Sequence, residues 1–399
     1  MLPNTRGLVP ALALAVTLAV DALAAERPSP VADRASPTPV GGVDGASLIG
    51  GRLPRVVYRG GPFVRHPRIV TITFAGDDPA VVASLARFAD TITRTSWWRA
   101  VSGGYCAAPG DCIGDGRAGR AVQLDETLPA TVRANDVEAL LVRAAKAGQL
   151  GEIDAETLLL TYLPAGVDLG DAFNPRYCQS GARAMHRALR LPDVTLPFAV
   201  LPRCVTLDEL TATASHEIVE ATTNSDPARP GFAFERAPEA AAFTAAGTEP
   251  VDPCGLVTMD RHRAVADGFT VQRAWSNDAA AQGHDPCVPS PADQPYLALI
   301  PEKPVVRLPA VGDSVTITVE GAADRTVSAW NVSAIDLSGK QDGGRYLDVA
   351  LDGATVAPGQ TLRLTITARQ LHPKGRALVA LVSTRGGGTY VWPLAVMMR

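Results

Sequence analysis

The chain has 399 residues, of which 46% are hydrophobic and 20% are charged. This length exceeds that of one ordinary domain, and this composition excludes a wholly disordered chain. The formal net charge is −4 and the basic residues form no block, so we expect no nucleic-acid partner.

The N-terminus has the pattern of a secretory signal peptide. Arg6 precedes an apolar run over residues 8–20, and Ala22-Leu23-Ala24 forms a small-x-small cleavage site. The run is too short to span a bilayer, and no later stretch is long and apolar enough to do so. We therefore predict a signal peptide over residues 1–25, a secreted (extracellular or periplasmic) protein and no membrane span. Residues 26–48, rich in Pro, Ser and Gly, are predicted to form a flexible leader.

Six cysteines follow the predicted signal peptide. An even number of cysteines in an exported protein is typical of disulfides, and the lack of a CxxC pair argues against a zinc–thiolate site. Six cysteines allow fifteen pairings. Proximity along the chain favours Cys106–Cys112, Cys178–Cys204 and Cys254–Cys287.

Predicted strands and helices alternate over residues 49–290. Short β-branched or apolar runs predict strands, whereas apolar residues at helical spacing predict helices. This alternation favours an α/β (α+β) domain. The predicted strands are 68–74, 157–162 and 196–201, and the predicted helices run from Asp77 or Asp78 to Trp97, over 131–148 and over 206–223.

The helix predicted over 206–223 carries the clearest chemical motif, His216-Glu217-Ile218-Val219-Glu220. Positions 216 and 220 lie one turn apart on one face, so an imidazole and a carboxylate can bind the same divalent ion. Glu217 lies beside that face and is placed to deprotonate a water activated by the metal, as the Glu of HExxH metallopeptidases does. Glu220 stands where that motif has its second His. A carboxylate also binds Zn²⁺, but it admits other divalent ions as well. The same three side chains are also compatible with a solvated helix face.

A Pro-rich linker ends this unit, and residues 295–399 have a different pattern. Short alternating runs are separated by Gly, Asp and Pro turns at the spacing of a sandwich. We predict an all-β immunoglobulin-like sandwich. The predicted strands are 314–320, 326–333, 346–351, 361–367, 377–382 and 390–396.

Four pieces of the first unit follow one another in an order found in a known family. They are Thr71–Phe74 with Ser96–Trp98 and Tyr105; Pro197–Cys204; His216–Asn224; and Glu249–Cys254 with Asp267, Gly268 and Val271–Asn277. In these pieces the chain resembles the EXORDIUM-like (phosphate-induced) secreted proteins of plants and their bacterial relatives. The resemblance covers a little over half of the chain and excludes residues 295–399.

The resemblance implies an extracellular protein with a zincin-like α/β domain, and it supplies candidates for a third metal ligand. Glu249 and Asp252 match the acidic pair of the family. We expect Glu249 to be the ligand and Asp252 to orient it or to replace it, the alternative being two surface acids beside a disulfide. Family members have a His shortly after a Cys ahead of the HExxE helix. Here the nearest candidate, His186, lies farther from Cys178, and it receives no role.

These patterns lead to three hypotheses about function. In the first, the protein is a zinc metallohydrolase of the peptidase type acting on an extracellular peptide. His216, Glu220 and Glu249 hold Zn²⁺ and Glu217 is the general base. In the second, the protein is a non-catalytic extracellular or cell-surface binding module with a structural metal site. In a third hypothesis, the C-terminal sandwich binds a carbohydrate or another cell-surface polymer.

Overall fold

The structure is a computed structural model that describes residues 49–171, 176–180, 183–246, 249–258, 263–340 and 344–399. The predicted signal peptide (1–25) and leader (26–48) lie outside the described residues and stay predictions. Among the described residues, no helix has the length and apolar character needed to cross a bilayer.

The first part of the chain mixes strands and helices. Its strands are β1 Val56–Tyr58, β2 Arg68–Phe74, β3 Cys106–Ala108, β4 Asp111–Cys112, β5 Arg117–Leu124, β6 Thr131–Arg133, β7 Thr157–Tyr162, β8 Asp168–Gly170, β9 Met185–Arg190, β10 Thr195–Leu201, β11 Phe232–Phe234, β12 Arg263–Ala266, β13 Phe269–Gln272, β14 Ala274–Trp275 and β15 Cys287–Val288. Its helices are α1 Pro79–Thr91, α2 Ser96–Ser102, α3 Ala134–Lys146, α4 Tyr177–Ser180, α5 Leu207–Thr223, α6 Ala240–Ala246, α7 Asp252–Val257 and α8 Asn277–Ala281.

The centre of this part is a mainly parallel sheet with the strand order β5-β2-β7-β10-β9. β5, β2, β7 and β10 are parallel, and β9 pairs antiparallel with β10. Helices α1 and α5 cover one face of the sheet and α3 covers the other. Strands buried on both faces read as continuous apolar runs, which is why β2 and β7 were recognisable in the sequence. The predicted α/β class is confirmed.

Two helices are shorter than predicted. The helix expected from Asp77 or Asp78 to Trp97 is divided, because Thr95 is extended (φ −73°, ψ 162°) and its Oγ1 accepts a hydrogen bond from the Trp98 amide. This side chain caps α2 and so begins a new helix. The helix predicted over 131–148 begins at Ala134, because the three preceding residues pair in parallel with β8.

The second part of the chain is all-β. Two sheets, in the orders β16-β18-β22-β20 and β17-β24-β23-β19-β21, enclose buried side chains such as Leu299, Ile317 and Leu381. The strands predicted from alternation are present, with ends shifted by up to four residues, whereas β16, β17 and β21 were not predicted. The strands are β16 Leu297–Pro301, β17 Val305–Arg307, β18 Ser314–Ala323, β19 Trp330–Asp336, β20 Leu347–Leu351, β21 Thr355–Val356, β22 Thr361–Ala368, β23 Arg376–Arg385 and β24 Gly388–Met397.

One hydrophobic core runs through both parts. Phe243 of α6 lies edge-on to Trp275 of the first part and to Trp392 of β24, with both ring centroids at 5.4 Å. The region around α6 and α7, which carries Asp252, therefore rests directly on the second part.

The three disulfides join the cysteine pairs predicted from proximity: Cys106–Cys112, Cys178–Cys204 and Cys254–Cys287. The last pair links α7 to β15. Disulfides of this kind are typical of proteins that fold in an oxidising compartment.

Candidate metal centre

Helix α5 positions the motif identified in the sequence. A capping box opens the helix: the Glu209 amide donates to Thr206 Oγ1 and the Thr206 amide donates to Glu209 Oε2, both at 3.3 Å. At the other end, the Asn224 amide donates to the Glu220 carbonyl at 2.7 Å. The backbone is therefore regular through residues 216–220, and the predicted one-turn separation of His216 and Glu220 holds.

Strand β13 orients the imidazole of His216. Its Nδ1 lies 3.1 Å from Gln272 Oε1, and the Gln272 amide donates to Ser215 Oγ at 2.8 Å. When Nδ1 carries the proton it donates to Gln272, and Nε2 is left with a lone pair. A hydrogen bond on one ring nitrogen is the usual way in which proteins orient a metal-binding imidazole. The side chain of His216 is 22% exposed.

Glu220 lies between two imidazoles. Its Oε1 is 3.0 Å from His216 Nε2, and its Oε2 is 3.4 Å from His186 Nδ1. Each carboxylate oxygen thus faces a different histidine.

Asp252 is the acid placed beside His216. As the first residue of α7, it projects Oδ1 to 3.9 Å from His216 Nε2, and its Oδ2 accepts a hydrogen bond from the Glu249 amide at 3.4 Å. Pro253 fits the first turn of α7, where no backbone N–H is required. Of the two acids suggested by the resemblance, Asp252 therefore occupies the place expected of Glu249.

Glu249 lies instead beside His186 of strand β9. His186 Nε2 is 3.5 Å from Glu249 Oε1, and His186 Nδ1 is 3.5 Å from Glu217 Oε2. Glu249 Oε1 also accepts a hydrogen bond from Asn224 Nδ2 at 2.7 Å. Sequence reasoning gave His186 no role. The available signal was the histidine found in the family ahead of the helix, and the antiparallel pairing of His186 with Ala199 of β10 brings it to the site.

Six side chains thus meet in what we call the acid–imidazole cluster: His186, His216, Glu217, Glu220, Glu249 and Asp252. Ligand atoms of His216, Glu220 and Asp252 lie within 4.8 Å of one another and form the outer group. Ligand atoms of His186, Glu220 and Glu249 meet the same limit and form the inner group.

Several atoms of the cluster are buried without a hydrogen-bond partner: His186 Nε2, Glu217 Oε2 and Glu220 Oε1. Their side chains are only 5–6% exposed. Buried polar groups are normally paired, and a bound water or ion, strain or a catalytic role accounts for an unpaired one. A cation at the cluster is one explanation of these atoms.

The groups of the cluster shift one another's pKa values. Burial would raise the pKa of Glu220, but the neighbouring histidines outweigh that effect and hold the pKa of its carboxyl well below the usual range. Burial would lower the pKa of His216, but Glu220 raises it to about 10. Burial and the charge of Glu220 raise the pKa of Glu249 to about 7 and that of Asp252 to about 6. The carboxylates crowd one another, and positive charge, carried by protonated imidazoles or by a cation, relieves this repulsion.

The outer group has a composition that fits Zn²⁺. One imidazole and two carboxylates leave a fourth position open, as in catalytic zinc sites. Two ligand atoms at tetrahedral zinc lie roughly 3.3 Å apart. The observed separations of His216 Nε2 from Glu220 Oε1 (3.0 Å) and from Asp252 Oδ1 (3.9 Å) bracket that value.

Comparison with known proteins gives no functional lead. No family model matches the chain, and no curated protein matches it. Solved structures with local similarity include a FixG-related protein from Vibrio parahaemolyticus (14% identity, 27% of this chain and 99% of that chain, TM-score 0.20). They also include the titin M3 domain (11% identity, 26% of this chain and 96% of that chain, TM-score 0.17). Similarity at this level supports no conclusion about fold or function.

Proposed function

We propose that the chain is a secreted metal-binding protein that acts as a zinc-dependent hydrolase of the peptidase type. The observation that carries the proposal is the outer group, with the carboxylate of Glu217 next to it on the same helix. The resemblance to the EXORDIUM-like family supports the proposal. Two of the pieces that carry it, the HExxE helix and the acids Glu249 and Asp252, lie in one cluster of this chain. We extend the proposal to a zincin-like first domain and an immunoglobulin-like second domain.

The side chains of the cluster have distinct roles in this proposal. His216, Glu220 and Asp252 would hold Zn²⁺, which would supply Lewis acidity for polarising a carbonyl and acidifying water. His216 and Asp252 are 22% and 31% exposed, so a peptide carbonyl can reach this side of the cluster. Glu217 would take the proton of the attacking water. His186 Nδ1, 3.5 Å from Glu217 Oε2, orients the carboxylate.

The catalytic part of the proposal is tested with Glu217→Gln, which keeps the shape of the side chain and removes its basicity. We expect hydrolysis of a peptide library to fall about 10²–10⁴-fold while zinc is retained. The control is Glu239→Gln, at an exposed position away from the cluster. Full activity of Glu217→Gln would contradict the proposed base.

The metal-binding part is tested separately, by mass spectrometry of protein purified without chelator. We expect wild type to carry zinc and His216→Ala to lose it from the outer group. His284→Ala is the matched control, since His284 is 51% exposed and pairs with Asp324 outside the cluster. Equal zinc in wild type and His216→Ala would contradict the assignment of His216.

A second candidate function is a non-catalytic binding module with a structural cation. The burial of Glu217, Glu220 and His186 to 5–6% exposure favours it, because an enclosed ion stabilises a fold without meeting substrate. In that case, His216→Ala lowers the melting temperature and wild type hydrolyses no peptide in the library. Hydrolysis that is lost in Glu217→Gln but kept in Glu239→Gln would rule it out.

A further inference from the structure

The acid–imidazole cluster contains more potential ligands than one ion uses. The outer and inner groups each offer three ligand atoms, and Glu220 belongs to both. Its Oε1 faces His216 and its Oε2 faces His186, at 3.0 and 3.4 Å. A carboxylate that directs one oxygen to each of two imidazoles has the geometry of a bridge between two cations.

We propose that the cluster binds two divalent cations, one in the outer group and one in the inner group, with Glu220 as the bridging ligand. This rests on the proposed function, because the outer ion is the zinc already described. The inner ion is new, and its ligands are His186, Glu249 and the shared Glu220.

His186 contributes both of its ring nitrogens to the surroundings of the inner ion. Its Nε2 has no hydrogen-bond partner although the side chain is only 5% exposed, and Glu249 Oε1 lies 3.5 Å from it. Its Nδ1 lies 3.4 Å from Glu220 Oε2 and 3.5 Å from Glu217 Oε2. Carboxylate oxygens therefore lie beside both nitrogens, and ligand atoms of His186, Glu220 and Glu249 lie within 4.8 Å of one another.

Paired metal ions clamp both the attacking and the leaving oxygens in hydrolytic sites, which fits the proposed hydrolase.

The two ions differ in their access to solvent. The inner group includes His186 at 5% and Glu249 at 23% exposure, and the outer group includes His216 at 22% and Asp252 at 31%. Glu249 is also fixed by the amide of Asn224. We therefore expect a chelator to remove the outer ion first and to leave the inner ion bound.

The test is the number of zinc ions per folded chain, measured by native mass spectrometry of the full mature protein at saturating zinc. We expect two ions in wild type, one in His186→Ala, one in His216→Ala and two in the control His284→Ala. Circular dichroism confirms that each variant is folded, and Glu249→Gln provides a milder change in the inner group. Loading with Co²⁺ adds a second readout, because two ions bridged by one carboxylate are magnetically coupled.

The outcomes separate the two proposals. One ion in wild type that persists in His186→Ala and is lost in His216→Ala overturns the inner ion and leaves the proposed function intact. One ion lost in both variants also overturns the pair, because it shows a single shared site. No ion in wild type overturns both proposals. Two ions without magnetic coupling in the Co²⁺ form overturn the bridging role of Glu220.

Discussion

At the scale of single residues, the orientation of His216 depends on Gln272. The contact between His216 Nδ1 and Gln272 Oε1, at 3.1 Å, leaves Nε2 to face Glu220 and Asp252. Gln272 touches no proposed metal ion, so its effect on binding passes through the imidazole. Groups that orient a ligand in this way are commonly worth one to two orders of magnitude in metal affinity.

We predict that Gln272→Ala weakens zinc binding about 10–100-fold without unfolding the protein. The measurement is competition with a chromophoric chelator. Gln282→Ala, at an exposed position just after α8, is the control and leaves affinity unchanged. Equal affinity in wild type and Gln272→Ala would show that His216 does not need this partner.

Gly231 sets the position of the C-terminal end of α5. A Cβ at this residue would lie 2.4 Å from the Thr223 carbonyl oxygen and 2.9 Å from that of Pro62. Backbone atoms cannot move aside as a flexible side chain can, so the chain segments must separate. We predict that Gly231→Ala lowers the free energy of unfolding by about 1–3 kcal/mol, measured by urea denaturation.

Gly255 is the matched control for this substitution. It lies within α7, and an added Cβ would meet no atom within 4 Å. Gly255→Ala should therefore raise stability by about 0.5–1 kcal/mol, because alanine favours the helix. A loss of stability in Gly255→Ala, or none in Gly231→Ala, would contradict the packing described here.

At the scale of elements, the Cys254–Cys287 disulfide links α7 to β15 and so fixes the helix that begins at Asp252. We predict that the double change to alanine lowers stability by about 2–4 kcal/mol and weakens binding in the outer group. The measurements are urea denaturation and zinc competition under non-reducing conditions.

The Cys106–Cys112 disulfide provides the comparison. Its cysteines are 6 residues apart, against 33 for Cys254–Cys287, so chain entropy predicts a smaller loss by about 1.5 kcal/mol. It lies away from α7, and zinc affinity should not change when it is removed. Equal loss of zinc affinity in both double variants would argue against a specific role of α7.

Elements with local signals were the ones that the sequence predicted well. The capping box and helical spacing located α5, and continuous apolar runs located β2 and β7. Strand β9 was missed, because its sequence Met-His-Arg-Ala-Leu-Arg has three basic residues and no β-branched residue. The break at Thr95 was missed as well, because apolar residues continue at helical spacing across it.

The residues of the candidate site also fall into two classes, those grouped by a local signal in the sequence and those brought together only by the fold. His216, Glu217 and Glu220 lie within two turns of one helix, so local geometry was enough to group them. The positions of His186 and Asp252 depend on long-range contacts, namely the pairing of β9 with β10 and the docking of α7. No spacing in the sequence encodes those contacts, so the second histidine and the order of the two acids were open until the fold was known.

At the scale of the whole molecule, the hydrophobic core is shared by the α/β part and the all-β part. Trp392 of β24 is 6% exposed and packs against Phe243 of α6, which in turn contacts Trp275. The second part therefore supports the helices next to the acid–imidazole cluster, in addition to any role in binding a partner.

We predict that Trp392→Ala lowers the free energy of unfolding by about 3–5 kcal/mol and that calorimetry shows one cooperative transition in both wild type and variant. Val311→Ala, at 61% exposure, is the control and changes stability by less than about 0.5 kcal/mol. Two separate transitions, only one of them shifted by Trp392→Ala, would show that the parts unfold independently.

The central claim is that a divalent cation binds where α5, β9 and α7 meet. The most direct measurement is anomalous diffraction at the zinc absorption edge from crystals of the mature protein grown with zinc. The account predicts an anomalous peak enclosed by His216 Nε2, Glu220 Oε1 and Asp252 Oδ1, and a second between His186 and Glu249. Crystals that show ordered cluster side chains and no peak among them would contradict it.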